Sequence, residues 1–529
     1  MQEQLPVGAF EVSKGKRIAQ VIFAVTYCLL AAGVVFGFAA IKPVFVAEGV
    51  YKDKCTQKEL DEGVWVCYEQ ELRLNLMFTV AAVSTNVCAL PVGTVLDKYG
   101  PRVASIVGVV FLTVGALLMA FAKDIPGDAF IPGYLFLALG GPFVFISSFQ
   151  LSNTFPQNSG LILALLTGAF DTSSAVFLVY RLIYENTNGS FDLRKFFLVY
   201  LVVPAFILLA QIFVMPSKSY KSVGELLAQA EEAEQPIHDS DDDISDEERR
   251  NQIQGARRDV VGEVTNLLGS KQGEEQAKTQ EDSANKSGVW GALHGKTSLQ
   301  QILTPWWFLI TLFTMVQMLR INYFVATIRT QYTNMLGSET EARRINEIFD
   351  IALPLGGVVA IPFIGVILDH TSTPFVLGLL VSIATAIGVF GVIPETWAAY
   401  INIALFVVYR PFYYTAVSDY SAKVFGFQTF GKVYGLIICI AGLFNFAQAG
   451  LDALRNKVFS NDPIPVNAIL LVLALLVGIV MVGYVYRKSL TLEKDKLREE
   501  ADEAQERLIP GANGAQVNRP HGHETYGTA

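Results

Sequence analysis

Apolar runs of about twenty residues recur along this chain, separated by short polar breaks. They cover roughly 18–43, 71–96, 103–122, 131–154, 158–183 and 195–215, then 305–330, 345–368, 374–393, 399–420, 429–451 and 466–486. Twenty apolar residues is about the length at which a helix crosses the hydrocarbon of a bilayer. Hydrocarbon offers no partner to a backbone amide, so such runs are helices. The short breaks make sequence neighbours antiparallel. The pattern predicts an all-α membrane protein of twelve transmembrane helices in two pseudo-symmetric six-helix halves, 18–215 and 304–487.

One break differs in kind. Residues 216–303 include "HDSDDDISDEERR" and are rich in Glu, Gln, Lys and Ser. Such a composition cannot bury enough apolar surface to fold alone. It predicts a disordered acidic linker between the halves, in which Ser240 and Ser245 precede acidic runs and are candidate kinase sites. Residues 1–17 and 488–529 form polar tails, the second expected to stay helical to Leu508.

An even number of spans puts both tails and the linker on one side. Lysine and arginine divide almost evenly between the two faces, so charge does not decide the orientation. The long linker favours a cytosolic location for the termini. The sequon at Asn188 then lies outside and is a glycosylation candidate. A cell-surface membrane and a vacuolar or lysosomal one both fit. The net charge of -9 comes largely from the linker and the C-terminal tail, and does not suit nucleic acid. Cys28, Cys88 and Cys439 lie in apolar runs as packing residues. Cys55 and Cys67 share one polar loop, where spacing alone leaves a disulfide and two free thiols both open.

The stretch "GTVLDKYGPR" closes the second run, and "GVILDHTST" closes the eighth. Gly93 and Asp97 match Gly365 and Asp369 at the same place in each half. A G-x-x-x-D step repeated between halves signals a parallel duplication. The glycine permits close helix approach. The aspartate suits either a neighbouring helix N-terminus or a basic partner. Gly100 and Arg102 complete the first copy. The second has His370, Thr371 and Ser372 instead, which predicts a weaker latch there.

This repeated loop resembles the major facilitator superfamily. Further stretches narrow the likeness: "CYEQELRLNLMFTV" (67–80), "GAFDTSSAVFLVYRLIYE" (168–185), "QILTPWWFLITLFTMVQMLRINYF" (301–324), "FGKVYGLI" (430–437) and "NDPIPVN" (461–467). Together they resemble solute carrier family 43, which comprises large-neutral-amino-acid facilitators and a related purine-nucleobase facilitator. The stretch "GAFDTSSAVFL" is more similar to the nucleobase branch. The loop cysteines, "LRI" and "FGKVYG" are shared with the amino-acid branch. The resemblance implies a Cys55–Cys67 disulfide and a solute cavity between the halves.

Ionisable residues deep in a span are costly and mark candidate sites. Asp171 lies mid-span in the fifth run and Arg410 in the tenth, while Arg320 lies past the middle of the seventh. A zwitterionic amino acid needs an acceptor for its ammonium and a donor fork for its carboxylate, and Asp171 and Arg410 supply both. A purine needs acceptors for its N–H groups and flat stacking partners, for which Phe170, Tyr413 and Tyr414 are placed. Ser147, Gln150 and Asn153 share one helix face, as do Asn445 and Gln448. Gln150, Asn445 and Gln448 are weaker candidates, because helix–helix bonding explains them equally well. Gly33 and Gly37 read as a helix-packing pair, and "GGPF" (140–143) as a bend.

No phosphate-binding loop, HExxH or CxxC appears, and no metal spacing. ATP-driven pumping, enzymatic chemistry and any cofactor are therefore not expected. The single central carboxylate and the location of the histidines favour uniport, with proton symport through Asp171 as the rival. The sequence thus predicts a facilitator working by alternating access, most consistent with large neutral amino acids. Purine nucleobases come second. A non-transporting nutrient sensor, signalling through its linker and tail, is a third reading.

Overall fold

A computed structural model describes residues 12–61, 67–220 and 286–508, and among them all regular structure is helical. The first half contains α1 (Lys14–Ala31 and Val34–Ala47), α2 (Tyr68–Val87 and Ala89–Tyr99), α3 (Pro101–Ala120), α4 (Phe130–Thr154), α5 (Pro156–Asn186) and α6 (Leu193–Phe213). The second contains α7 (Pro305–Leu336), α8 (Glu339–His370), α9 (Thr373–Phe390), α10 (Thr396–Phe425), α11 (Phe430–Phe444 and Ala447–Lys457) and α12 (Ile464–Leu508).

The helix ends follow from local sequence. Thr304 caps α7 by accepting from Trp307 N–H, with Pro305 in the first turn. Gly337, at φ 62°, ends that helix, and Ser338 at once caps the next by accepting from Glu341 N–H. Gly100 turns the chain between α2 and α3 at φ 84°, in the left-handed region that favours glycine.

Nine described helices are long and apolar enough to cross a membrane, and α1 makes a tenth if its pieces, bent by 41°, count as one pass. The other two fall short for different reasons. In α10 most side chains are buried, and it carries Arg410, Asp419 and Lys423. Its neighbours shield it from lipid, so it needs little apolar surface of its own. In α11 the apolar part is Phe430–Phe444, and the helix breaks before the polar piece "AQAGLDALRNK". The expectation of one continuous eleventh span is thereby corrected. At "GGPF" the chain stays helical, with Pro142 inside one helix, Phe130–Ile146. Gly141 there approaches the backbone of Ala32, while a break falls in α1 beside Gly33. Gly33 does pack closely: its N–H donates to Ser173 Oγ at 2.7 Å, and an added Cβ would meet Phe170 O at 2.7 Å.

The halves meet along two seams, α2 against α11 and α5 against α8. The internal repeat relates them, since α2 corresponds to α8 and α5 to α11. Glycines set the spacing at both. A Cβ on Gly93 would overlap the backbone of Gly431, and one on Gly365 would lie 2.7 Å from Leu161 Cδ1.

The expected linker boundary is corrected at both ends. Tyr220 is buried, its N–H donating to Gln150 Oε1 at 2.8 Å and its carbonyl accepting from Asn153 Nδ2 at 2.9 Å. Val289 and Leu293 are buried as well, and the N–H groups of Gly291 and Leu293 donate to the carbonyls of Lys423 and Val424, each at 3.0 Å. Thr297 then caps a short helix, Ser298–Ile302, that leads into α7. A few apolar anchors, too sparse to alter the average composition, fix these ends to the bundle. Ser240 and Ser245 lie outside the described residues.

Candidate functional site

On the side of the described termini, both oxygens of Asp97 reach the first turn of α11. They accept from Gly431 N–H at 3.0 Å and Lys432 N–H at 2.9 Å. Asp369, at the same end of α8, accepts from Gly160 N–H at 2.7 Å and Leu161 N–H at 3.1 Å, near the start of α5. Each aspartate crosses to the other half. The free N–H groups and positive dipole end of a helix start suit a carboxylate, and the bonds are charge-assisted. Of the two partners open from sequence, the structure selects the helix terminus in both copies.

Arg102 takes no part in that contact. Its Nη2 donates to the Met215 carbonyl at 2.7 Å, tying α3 to the end of α6. The second copy, predicted weaker, makes the same number of aspartate bonds as the first. Lys423 of α10 supports it, pairing with Asp419 at 2.7 Å and donating to the Leu368 carbonyl at 3.2 Å. The second latch thus gains a basic residue from another helix.

Midway through the bundle, Arg410 of α10 and Asp171 of α5 form an ion pair across the halves, Nη1 to Oδ1 at 3.3 Å. Their side chains are 10% and 2% exposed. Neither Asp171 oxygen accepts a hydrogen bond among the described residues, and Arg410 Nε donates none. The pair is held by charge alone, without the bonds that would complete a structural salt bridge.

Arg410 lines a cavity between the halves, and Asp171 sits behind it. The cavity's free volume is about 60 Å³, several times what one water needs. Phe36, Phe145, Phe170, Tyr414 and Tyr434 make an aromatic wall around it. Phe145 and Phe170 lie 4.8 Å apart between ring centroids, and the Arg410 guanidinium lies 6.0 Å from the centre of the Tyr414 ring. Asn86 and Asn322 add amides from opposite halves.

The other candidates distribute differently. Tyr414 lines the cavity, but Tyr413 is fully buried behind it, donating to the Thr314 carbonyl at 2.9 Å. On a helix, residues four apart share a face and neighbours do not, so Arg410 selects Tyr414. Gln150 anchors Tyr220, and Ser147 bonds Ser105 Oγ at 2.6 Å. Asn445 donates to Ala441 O at 3.1 Å and accepts from Gln448 Nε2 at 3.3 Å, which steadies the break in α11. Arg320 lies inside the second half, in a separate pocket between α7, α9, α10 and α12. Asn322 was the missed residue of that helix. Two positions along a helix is a turn of about 200°, so Asn322 faces the halves' interface where Arg320 cannot.

Away from this cavity, Cys55 and Cys67 are joined in a disulfide in the α1–α2 loop, with Cα atoms 5.6 Å apart. Cys28, Cys88 and Cys439 are buried free thiols. Asn188 is exposed in the turn after α5, on the same side as the disulfide.

Two helical halves, latched to each other at one face around a central charged cavity, define an integral multi-pass membrane transporter. The chain belongs to the Major Facilitator Superfamily, whose family model matches residues 27–449. Among its relatives, Protein FMP42 of Saccharomyces cerevisiae is 46% identical, over 89% of this chain and 94% of its own length. Equilibrative nucleobase transporter 1 of Bos taurus is 23% identical, over 87% and 94%. Aromatic and large neutral amino acid transporter 5-3 of Toxoplasma gondii is 28% identical, over 44% and 47%. The family is one of transporters and not of enzymes.

Proposed function

We propose that the chain is a facilitator for neutral amino acids with large or aromatic side chains, working by alternating access with its termini in the cytosol. The observation that carries this reading is the unbonded Asp171–Arg410 pair beside an aromatic cavity. A zwitterion offers each charge a better partner than the other: an ammonium for Asp171 and a planar carboxylate for the Arg410 fork. The apolar side chain then rests among Phe36, Phe145 and Phe170. Because the solute carries both charges, binding leaves the site electrically neutral and needs no accompanying ion.

A flat purine is the second reading. The amides of Asn86 and Asn322 and the rings of Phe170 and Tyr414 favour it, as does the likeness to the bovine nucleobase transporter. A nutrient sensor built on this fold has no observation in its favour beyond the long acidic segment.

Uptake into proteoliposomes of the purified chain separates the first two. With no sodium or pH gradient, labelled phenylalanine is expected to enter saturably, and excess leucine to compete while excess adenine does not. Adenine uptake blocked by excess purine, with no phenylalanine uptake, contradicts the amino-acid reading.

A further inference from the structure

The pocket inside the second half asks for a different ligand from the central cavity. Arg320 of α7 faces it from mid-membrane, and Gln317, Asn402, Tyr409 and Asn467 share its wall. Among the described residues Arg320 makes no ion pair. Its guanidinium donates only to neutral oxygens, Gln317 Oε1 at 3.4 Å and the Ala384 carbonyl at 3.0 Å. A guanidinium at this depth with no countercharge is costly. Three further polar atoms on the wall are buried and unbonded: Gln317 Nε2, Tyr409 Oη and Asn402 Oδ1. The first two are donors. Asn402 becomes a third if its amide is turned, since Tyr332 Oη, now 3.1 Å from Nδ2, can donate as readily as accept. Gly388 of α9 makes room for the guanidinium, because a Cβ there would lie 2.9 Å from Arg320 Nη2.

We propose that this pocket is a binding site for a small inorganic monoanion of the chloride class, held by Arg320, Gln317 and Tyr409. The wall is rich in donors and has one uncompensated positive charge, which is the chemistry of an anion site. Its free volume, about 50 Å³, is enough for a monatomic ion. The site is separate from the Asp171–Arg410 cavity but shares α10 with it, since Tyr409 precedes Arg410 and its ring stacks 6.1 Å from Tyr413. An anion on Tyr409 therefore steadies the helix that presents Arg410.

The test is thermal unfolding of the purified full chain in chloride against gluconate, at constant ionic strength and pH. Chloride is expected to raise the melting temperature saturably, as a ligand that binds only the folded state must. Arg320→Gln and Tyr409→Phe are each expected to remove or weaken that dependence. Crystals grown in bromide give a check that needs no variant, with an anomalous peak expected beside Arg320. No chloride effect in the wild type, an undiminished effect in Arg320→Gln, or no bromide peak overturns the proposal. Stabilisation through Arg320 by acetate but not chloride also overturns it, and makes the site one for a solute's carboxylate.

Discussion

Arg410→Ala is expected to abolish saturable uptake, lowering it at least about 100-fold, and to lower the melting temperature as well. The two effects have separate causes. Removing one member of a buried ion pair leaves the other charge uncompensated, at a cost of about 3–5 kcal/mol. Asp171 is then the orphan, with neither oxygen hydrogen-bonded among the described residues. Under the proposed function the solute's carboxylate also loses its partner. Asp171→Asn together with Arg410→Met removes both charges, so it is expected to recover much of the melting temperature and none of the uptake. Arg410→Lys keeps the charge and loses the planar fork, and is expected to fold well and transport weakly. Melting curves and uptake measured side by side check the set. Full uptake in the double variant makes the pair purely structural.

Asp97→Asn combined with Asp369→Asn is expected to shift the chain strongly toward a form open on the termini side. Each aspartate makes two charge-assisted bonds across the halves. Asparagine keeps one acceptor oxygen and loses the charge, a loss of about 1–2 kcal/mol per latch. Since about 1.4 kcal/mol is tenfold, two latches that act independently shift the equilibrium about 100-fold. The closed form is then less populated and net uptake falls, though the solute cavity is untouched. Spin labels at Val103 and Phe375, exposed near the start of α3 and of α9, read the separation of the halves directly. A longer distance in the double variant, with each single variant between, is the expected result. An unchanged distance distribution would mean the aspartates fasten nothing.

The two features most legible in the sequence rest on constraints that act locally or repeat. The bilayer sets the length of each apolar run, so the helices were visible without any knowledge of packing. The G-x-x-x-D step was visible because it occurs twice in register, and because an aspartate at a helix end has few physical roles. Asp171 and Arg410 stood out through the cost of charge in hydrocarbon. What the sequence could not show depends on partners distant along the chain. The bond from Tyr220 to Gln150, and the closure of α9 and α12 around Arg320, join residues far apart in the chain. Lys423 could not be assigned to the second latch, because that latch lies 54 positions away at Asp369. Tyr414 over Tyr413, and Asn322 opposite Arg320, were accessible to helical geometry alone.

The central claim is facilitated diffusion of a neutral amino acid, and the plateau of uptake tests it most directly. Proteoliposomes holding the purified chain are given labelled phenylalanine, with and without an imposed pH gradient. The account predicts that uptake stops in both cases when the internal concentration equals the external one. Accumulation above that level under the pH gradient, or no uptake in either case, would contradict it.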